Sequence, residues 1–139
     1  MTQNEIASLV SNTDDTINEL AARGLIVCDS NNDPVGAYPF TMEQRIHRAQ
    51  VNGISVHAMC ALGALAISPM FSYPTEIYSQ CDISHKLIHI IQQSRVLQNI
   101  SELKDISFAI NWNAVSKGGC YADSLCTEII FIRGADASE

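Results

Sequence analysis

The chain has 139 residues, of which 47% are hydrophobic and 17% charged, a composition that suits one packed domain and excludes a wholly disordered chain. Fifteen acidic residues against eight basic ones give a formal net charge of −7, which disfavours a phosphate-binding surface. No apolar run reaches the ~18 residues that a membrane-spanning helix needs, and the first residues lack the pattern of a secretory signal. We therefore expect a cytoplasmic location and neither nucleic acid nor a membrane as a partner.

Residues 1–41 have the outline of a winged-helix-like unit. Thr13 is a candidate N-cap for a helix over about 14–23 that ends at Gly24, and strands are predicted over 25–28 and 35–40. The helix carries three acidic side chains against the single Arg23, so we interpret the unit as a packing element rather than a DNA reader. A winged-helix regulator that responds to a metal is an alternative that the acidic charge disfavours.

Residues 42–139 read as an α+β core. A hairpin over 45–59 is predicted from the Asn52-Gly53 turn, and a buried helix over 61–67 is expected to stop at Ser68-Pro69. Four further strands are predicted over 76–80, 86–92, 105–111 and 125–132. We expect an α+β fold: a helical N-terminal unit followed by a mostly antiparallel sheet with one buried helix, together one compact domain.

The five cysteines are an odd number at irregular spacing, which predicts free thiols rather than a disulfide framework: Cys28, Cys60, Cys81, Cys120 and Cys126. Cys60 lies where a strand leads into a helix, a position that favours thiolate, although a packed core cysteine is the alternative. There is no Cys-x-x-Cys pair, so a structural zinc site is not predicted. The four histidines, which have no ligand-like spacing, are expected on the surface: His47, His57, His85 and His89.

Two cysteine segments carry a resemblance to a known family. Residues 57–65, HAMCALGAL, and residues 124–131, SLCTEIIF, resemble the two cysteine motifs of the organomercurial (alkylmercury) lyases. The resemblance covers roughly residues 5–132, and it implies an alkylmercury lyase-like fold. It also implies that Cys60 and Cys126 are the catalytic and mercury-binding thiols and that Cys81 is structural. The expected partners are an organomercurial or other soft-metal ligand and small thiols, with no cofactor, because mercury is the substrate or product metal.

The sequence departs from the family at one position of the motif. The family's aspartate, three residues after the first cysteine, is Gly63 here, so the expected proton carrier is missing. Glu128 and Asp123 are candidate substitute acids, and Cys120 is a further candidate ligand. The chain also ends soon after Ile132, where family members continue. The alternative function is a non-catalytic dithiol protein that binds or senses a soft metal such as Hg(II) or Cu(I).

Overall fold

A computed structural model describes residues 13–115 and 124–134. In these residues the chain forms two helices, α1 and α2, and ten strands, β1 to β10. The helices are Thr13–Ala22 (α1) and Ala61–Phe71 (α2), and two 3₁₀ turns lie at Ile100–Glu102 and Cys126–Glu128. The strands are, in order, Val27–Cys28, Pro34–Ala37, Phe40–Thr41, Arg48–Val51, Ile54–Ala58, Thr75–Gln80, Leu87–Gln93, Val96–Leu97, Ile106–Ile110 and Ile129–Arg133.

The described strands form two antiparallel sheets. Eight strands are hydrogen-bonded in the order β1-β2-β3-β5-β4-β6-β7-β8, and β9 pairs with β10 in a separate hairpin. This mixed α+β architecture with a mostly antiparallel sheet confirms the predicted fold class. The winged-helix-like description of residues 1–41 and the division between residues 41 and 42 stay predictions.

Helix α1 ends where the sequence predicts. Gly24 has a φ of +68°, a conformation that glycine adopts without steric cost. The Gly24 N–H donates to the Ala21 carbonyl and the Leu25 N–H donates to the Leu20 carbonyl, both at 2.9 Å. These bonds satisfy carbonyl groups that the end of a helix otherwise leaves unpaired.

The Asn52-Gly53 turn sets the register of the strand that leads to Cys60. Both residues have positive φ, +48° and +77°, as a two-residue type I′ hairpin turn requires. The turn pairs Val51 with Ile54 and Ala49 with Val56. Since side chains alternate along a strand, this register places Ala58, at the end of β5, in the core.

Helix α2 runs through the proline that the sequence predicts as its end. The helix continues to Phe71 with Pro69 inside it, so the predicted stop at Ser68-Pro69 is wrong. A proline removes one helical N–H and frees the carbonyl four residues earlier. That carbonyl belongs to Leu65, and it accepts a hydrogen bond from Gln92 Nε2 at 3.1 Å. A side chain on β7 thus supplies the missing donor.

Helix α2 packs against both the large sheet and the β9–β10 hairpin. It contacts β10 and also the strands β4 to β7. The buried core combines small, branched and aromatic side chains from the helix, the large sheet and the hairpin: Ala49, Ala58, Ala61, Ala64, Ile67, Ile77, Ile88, Ile90, Ile129 and Phe131. Among the described residues, no helix is long and apolar enough to cross a membrane.

The last predicted strand begins later than expected. The strand predicted over 125–132 starts at Ile129, and Cys126 lies in the 3₁₀ turn before it. In that turn the Glu128 N–H donates to the Leu125 carbonyl at 3.0 Å. Pairing with β9 begins only at Ile129 and Ile110. Just before this pair, the Asn111 N–H donates to the Glu128 carbonyl at 3.0 Å, so the 3₁₀ turn leads directly into the hairpin.

His47 is buried, which contradicts the predicted surface position. Its side chain is 4% exposed, its Nδ1 lies 2.8 Å from Ser79 Oγ, and its ring packs edge-on against Phe131. Burial, helped by the Arg45 charge, lowers the pKa of His47 to about 4. The imidazole is therefore neutral at pH 7. His85 is exposed, and His57 and His89 are half-buried.

Candidate thiol site

The Cys60 side chain caps the start of helix α2. The Cys60 backbone is extended, with φ −158° and ψ 173°, and its Sγ accepts a hydrogen bond from the Gly63 N–H at 3.1 Å. A residue at this position turns the chain from strand to helix, and its side chain reaches the unpaired N–H groups of the first turn. Cys60 is 1% exposed. Cys60 is thus both a core residue and an acceptor for backbone donors.

The structure brings Cys126 to Cys60. The 3₁₀ turn that holds Cys126 leads directly into β10, and β10 packs against α2. The half-buried Cys126 thiol is hydrogen-bonded to the Cys60 side chain, and the two cysteines are not joined by a disulfide. Two sulfurs that are far apart in sequence therefore lie within hydrogen-bonding distance of each other.

The surroundings of Cys60 favour its thiolate. The hydrogen bond from Cys126 lowers the pKa of the Cys60 thiol most, burial opposes it, and the N–H groups of Gly63 and Leu62 lower the pKa further, to about 7. Donors that point at the sulfur stabilise its negative charge more than burial destabilises it. A large fraction of Cys60 is therefore thiolate at neutral pH, the form that binds metals and acts as a nucleophile.

Gly63 faces the same sulfur. A Cβ placed on Gly63 would lie 3.4 Å from Cys60 Sγ, 3.4 Å from Pro39 Cβ and 3.5 Å from Tyr38 Cε2. These are ordinary van der Waals separations, so a side chain at position 63 would touch the thiol directly. The glycine leaves this place next to the sulfur without an acid.

Tyr38 is a site residue that the sequence reasoning missed. Tyr38 and Pro39 form the turn between β2 and β3, and the Met59 N–H holds this turn by donating to the Pro39 carbonyl at 2.9 Å. Burial raises the pKa of the Tyr38 phenol, and the negative charges of Cys60 and Cys126 raise it further. No local pattern in the sequence signals that this tyrosine lies near the two thiols.

Glu128 and Cys81 lie at defined places, whereas Asp123 and Cys120 lie outside the described residues. Glu128 follows Cys126 in the 3₁₀ turn, and its carboxylate accepts a hydrogen bond from Thr127 Oγ1 at 3.4 Å. Cys81 is fully buried at the end of β6. Burial raises the pKa of Cys81, but donors from Ser84, Ile83 and Arg133 outweigh it and lower the pKa.

The site offers two sulfurs as metal donors. Within residues 13–115 and 124–134, no group of three or more His, Cys, Asp or Glu side chains is arranged to hold a metal ion. Hard cations need several oxygen ligands, and structural zinc takes four ligands. A pair of thiolates instead suits a soft metal, because thiolate competes best for soft ions.

A large apolar cavity lies apart from the two thiols. It has a volume of about 650 Å³ and lies between α1 and the strands β2, β3 and β5, where Ile17, Leu20, Phe40 and Val56 line it. Neither Cys60 nor Cys126 lines this cavity. The cavity is therefore not part of the thiol site.

Two of three comparisons with known proteins find a match to this chain. A family model described as MerB, alkylmercury lyase, matches residues 40–139. A solved structure described as the mercury-bound form of MerB2 has a TM-score of 0.78 and 18% sequence identity, and the match covers 99% of this chain and 68% of that chain. At this identity the likeness shows a shared fold. No curated protein matches the sequence. Because the family model covers more than half of the chain, Cys60 and Cys126 included, this chain belongs to the alkylmercury lyase family.

Proposed function

We propose that this protein is a carbon–mercury lyase that binds an organomercurial through Cys60 and Cys126 and releases the organic group as a hydrocarbon. The single observation that carries the proposal is the hydrogen-bonded pair of thiols, one of them with a pKa near 7, at the start of helix α2. The mercury-bound state of the MerB2 structure and the described activity of the family support the same chemistry.

The first steps of the proposed reaction use the two sulfurs in turn. The Cys60 thiolate gives an electron pair to mercury and displaces a small thiolate. The released thiolate takes the proton of Cys126, whose sulfur then gives a second electron pair to the same mercury. Because the Cys126 thiol already donates to Cys60, the two sulfurs are placed to share one atom. Two thiolate donors increase the electron density on mercury and make the bound carbon more basic.

The last step breaks the carbon–mercury bond. The pair of electrons in that bond takes a proton from a nearby acid, the hydrocarbon leaves, and Hg(II) stays bound to two sulfurs. A positioned acid contributes ~10²- to 10⁴-fold to such a proton transfer. Position 63, next to the Cys60 sulfur, holds a glycine, so this acid has to come from elsewhere. The same glycine favours the second candidate function, a dithiol protein that binds a soft metal without cleavage.

The release of benzene from phenylmercury separates the two candidate functions. The protein is mixed with phenylmercury and an excess of small thiol, and benzene is measured in the headspace. We expect the wild type to release benzene and Cys60→Ser and Cys126→Ser each to abolish it. Cys28→Ser is the matched control, because Cys28 is a half-buried free thiol on β1 that belongs to a different part of the sheet.

Each outcome assigns a function. Benzene from the wild type and from Cys28→Ser, but from neither site variant, supports the lyase. Uptake of Hg(II) on two sulfurs, of which either site variant removes one, with no benzene from any protein, supports the binding protein. Benzene release that survives Cys60→Ser would reject the assignment of the site.

A further inference from the structure

We propose that Tyr38 is the general acid that protonates the departing carbon, in the place that Gly63 leaves without a carboxyl. The inference rests on the proposed lyase function and names the proton donor of that same site. It assigns a catalytic role to a residue outside both cysteine motifs.

The position of the Tyr38 ring carries the inference. A Cβ on Gly63 would lie 3.5 Å from Tyr38 Cε2 and 3.4 Å from Cys60 Sγ, so the ring and the sulfur border the same small space. Cε2 is bonded to the ring carbon that carries the hydroxyl, so the phenol oxygen lies near this space. A carbon held on mercury at the Cys60 sulfur would therefore lie close to an O–H donor.

The backbone holds Tyr38 in this position. Its neighbour Pro39 is buried and lies against Gly63, and the Pro39 carbonyl accepts the N–H of Met59, the residue just before Cys60. The turn that carries the phenol is thus fixed to the same junction of β5 and α2 that presents the thiol. Preorganised placement of this kind is what a proton donor needs.

The electrostatics of the site keep the phenol protonated. Burial raises the pKa of Tyr38, and the charges of Cys60 and Cys126 raise it further. Among the described residues, these two thiols are the ionisable groups that act on it. A phenol whose pKa is raised carries its proton at neutral pH.

The proposed step balances. The phenol O–H proton goes to the carbon, and the electron pair of the carbon–mercury bond becomes the new carbon–hydrogen bond. The products are the hydrocarbon, mercury bound to the two sulfurs, and a phenolate. Tyr38 is 43% exposed, so water can return a proton to the phenolate before the next turnover.

The first test removes only the hydroxyl. We expect Tyr38→Phe to lower benzene release from phenylmercury at least about 100-fold, at the lower end of what a positioned acid contributes. Binding of one Hg(II) per chain should stay as in the wild type, because both sulfurs remain. Tyr78→Phe is the matched control, since its partly exposed hydroxyl bonds to Glu76 and its ring stacks on His89, away from the thiols. This control should keep the wild-type rate.

A double variant tests the role itself. Gly63→Asp places a carboxyl in the same space, so Tyr38→Phe with Gly63→Asp should release benzene at least tenfold faster than Tyr38→Phe alone. A double variant that is no faster would show that proton delivery is not what Tyr38→Phe lacks, and it would overturn the proposal.

The failures of the two proposals are distinguishable. A wild type and a Tyr38→Phe variant that release benzene at equal rates would overturn the role of Tyr38 and leave the lyase function standing. A wild type that binds Hg(II) and releases no benzene would overturn both. A Tyr38→Phe variant that no longer binds Hg(II) would show a structural role for Tyr38 and would also reject the proposal.

Discussion

Among single residues, Cys60 matters most, because the proposed chemistry depends on the acidity of its thiol. Cys60 combines three donors, the Cys126 thiol and two backbone N–H groups, with almost complete burial. Burial alone would raise the pKa and suppress the thiolate. The donors reverse that effect, so a sulfur in the core is still reactive at neutral pH. The position of Cys60 at the start of a helix was predictable from its sequence neighbours, whereas its bond to Cys126 depends on the folded chain.

The pKa of Cys60 is directly measurable. The thiolate absorbance of the wild type, minus that of Cys60→Ser, should titrate with a midpoint near pH 7. Cys126→Ala should raise this midpoint, because the Cys126 hydrogen bond is the largest cause of the shift. A wild-type midpoint at the ordinary thiol value, or a midpoint that Cys126→Ala does not move, would contradict the described contacts.

Restoring a carboxyl at position 63 should speed cleavage. We expect Gly63→Asp to raise benzene release about tenfold, less than a full general acid contributes because Tyr38 already supplies a proton. Gly63→Asn is the control, since it has nearly the same shape and no acidic proton. An unchanged or lower rate in Gly63→Asp would count against the assignment of the site.

Two elements differ from their predictions because partners distant in sequence decide them. Helix α2 passes its proline because Gln92, on β7, bonds the carbonyl that the proline leaves unpaired. The segment of Cys126 forms a 3₁₀ turn, and its pairing with β9 as a strand begins only at Ile129. The Asn52-Gly53 turn and the end of α1 at Gly24, by contrast, depend on local φ preferences and were predictable from the sequence.

The role of Gln92 can be measured as a change in stability. Gln92→Ala should lower the free energy of unfolding by about 1–3 kcal/mol, because it leaves the partly buried Leu65 carbonyl without this donor. Gln93→Ala is the matched control, since Gln93 is the next residue on β7 and its side chain is exposed. Urea unfolding of both variants gives the comparison, and equal effects would contradict the described support of α2.

For the whole molecule, the sequence predicts the elements better than it predicts the contacts between them. Alternating and β-branched segments predict the antiparallel sheet, and the apolar run after Cys60 predicts the buried helix. The meeting of Cys60 and Cys126 was implied only by the family resemblance, because no spacing rule brings two such distant residues together. The burial of His47 and the placement of Tyr38 were missed for the same reason: both depend on packing between layers.

The buried His47 should make the whole fold sensitive to acid. Its pKa is lowered to about 4 in the folded chain, so the unfolded chain binds the proton more readily. The contribution of the neutral His47 to the free energy of unfolding is therefore complete above pH 6.5. It is lost as the pH falls toward 4, by up to about 3 kcal/mol. Urea unfolding between pH 7 and pH 4 should show a steeper loss in the wild type than in His47→Gln. Parallel curves for the two proteins would contradict the burial of a neutral imidazole.

The coordination of mercury by this chain tests the central claim most directly. X-ray absorption at the mercury edge, on protein loaded with one equivalent of Hg(II) and freed of small thiols, should show two sulfur ligands in the wild type. Cys60→Ser and Cys126→Ser should each lose one of the two. A wild-type spectrum without two sulfurs, or one that either variant reproduces unchanged, would contradict a shared site at Cys60 and Cys126.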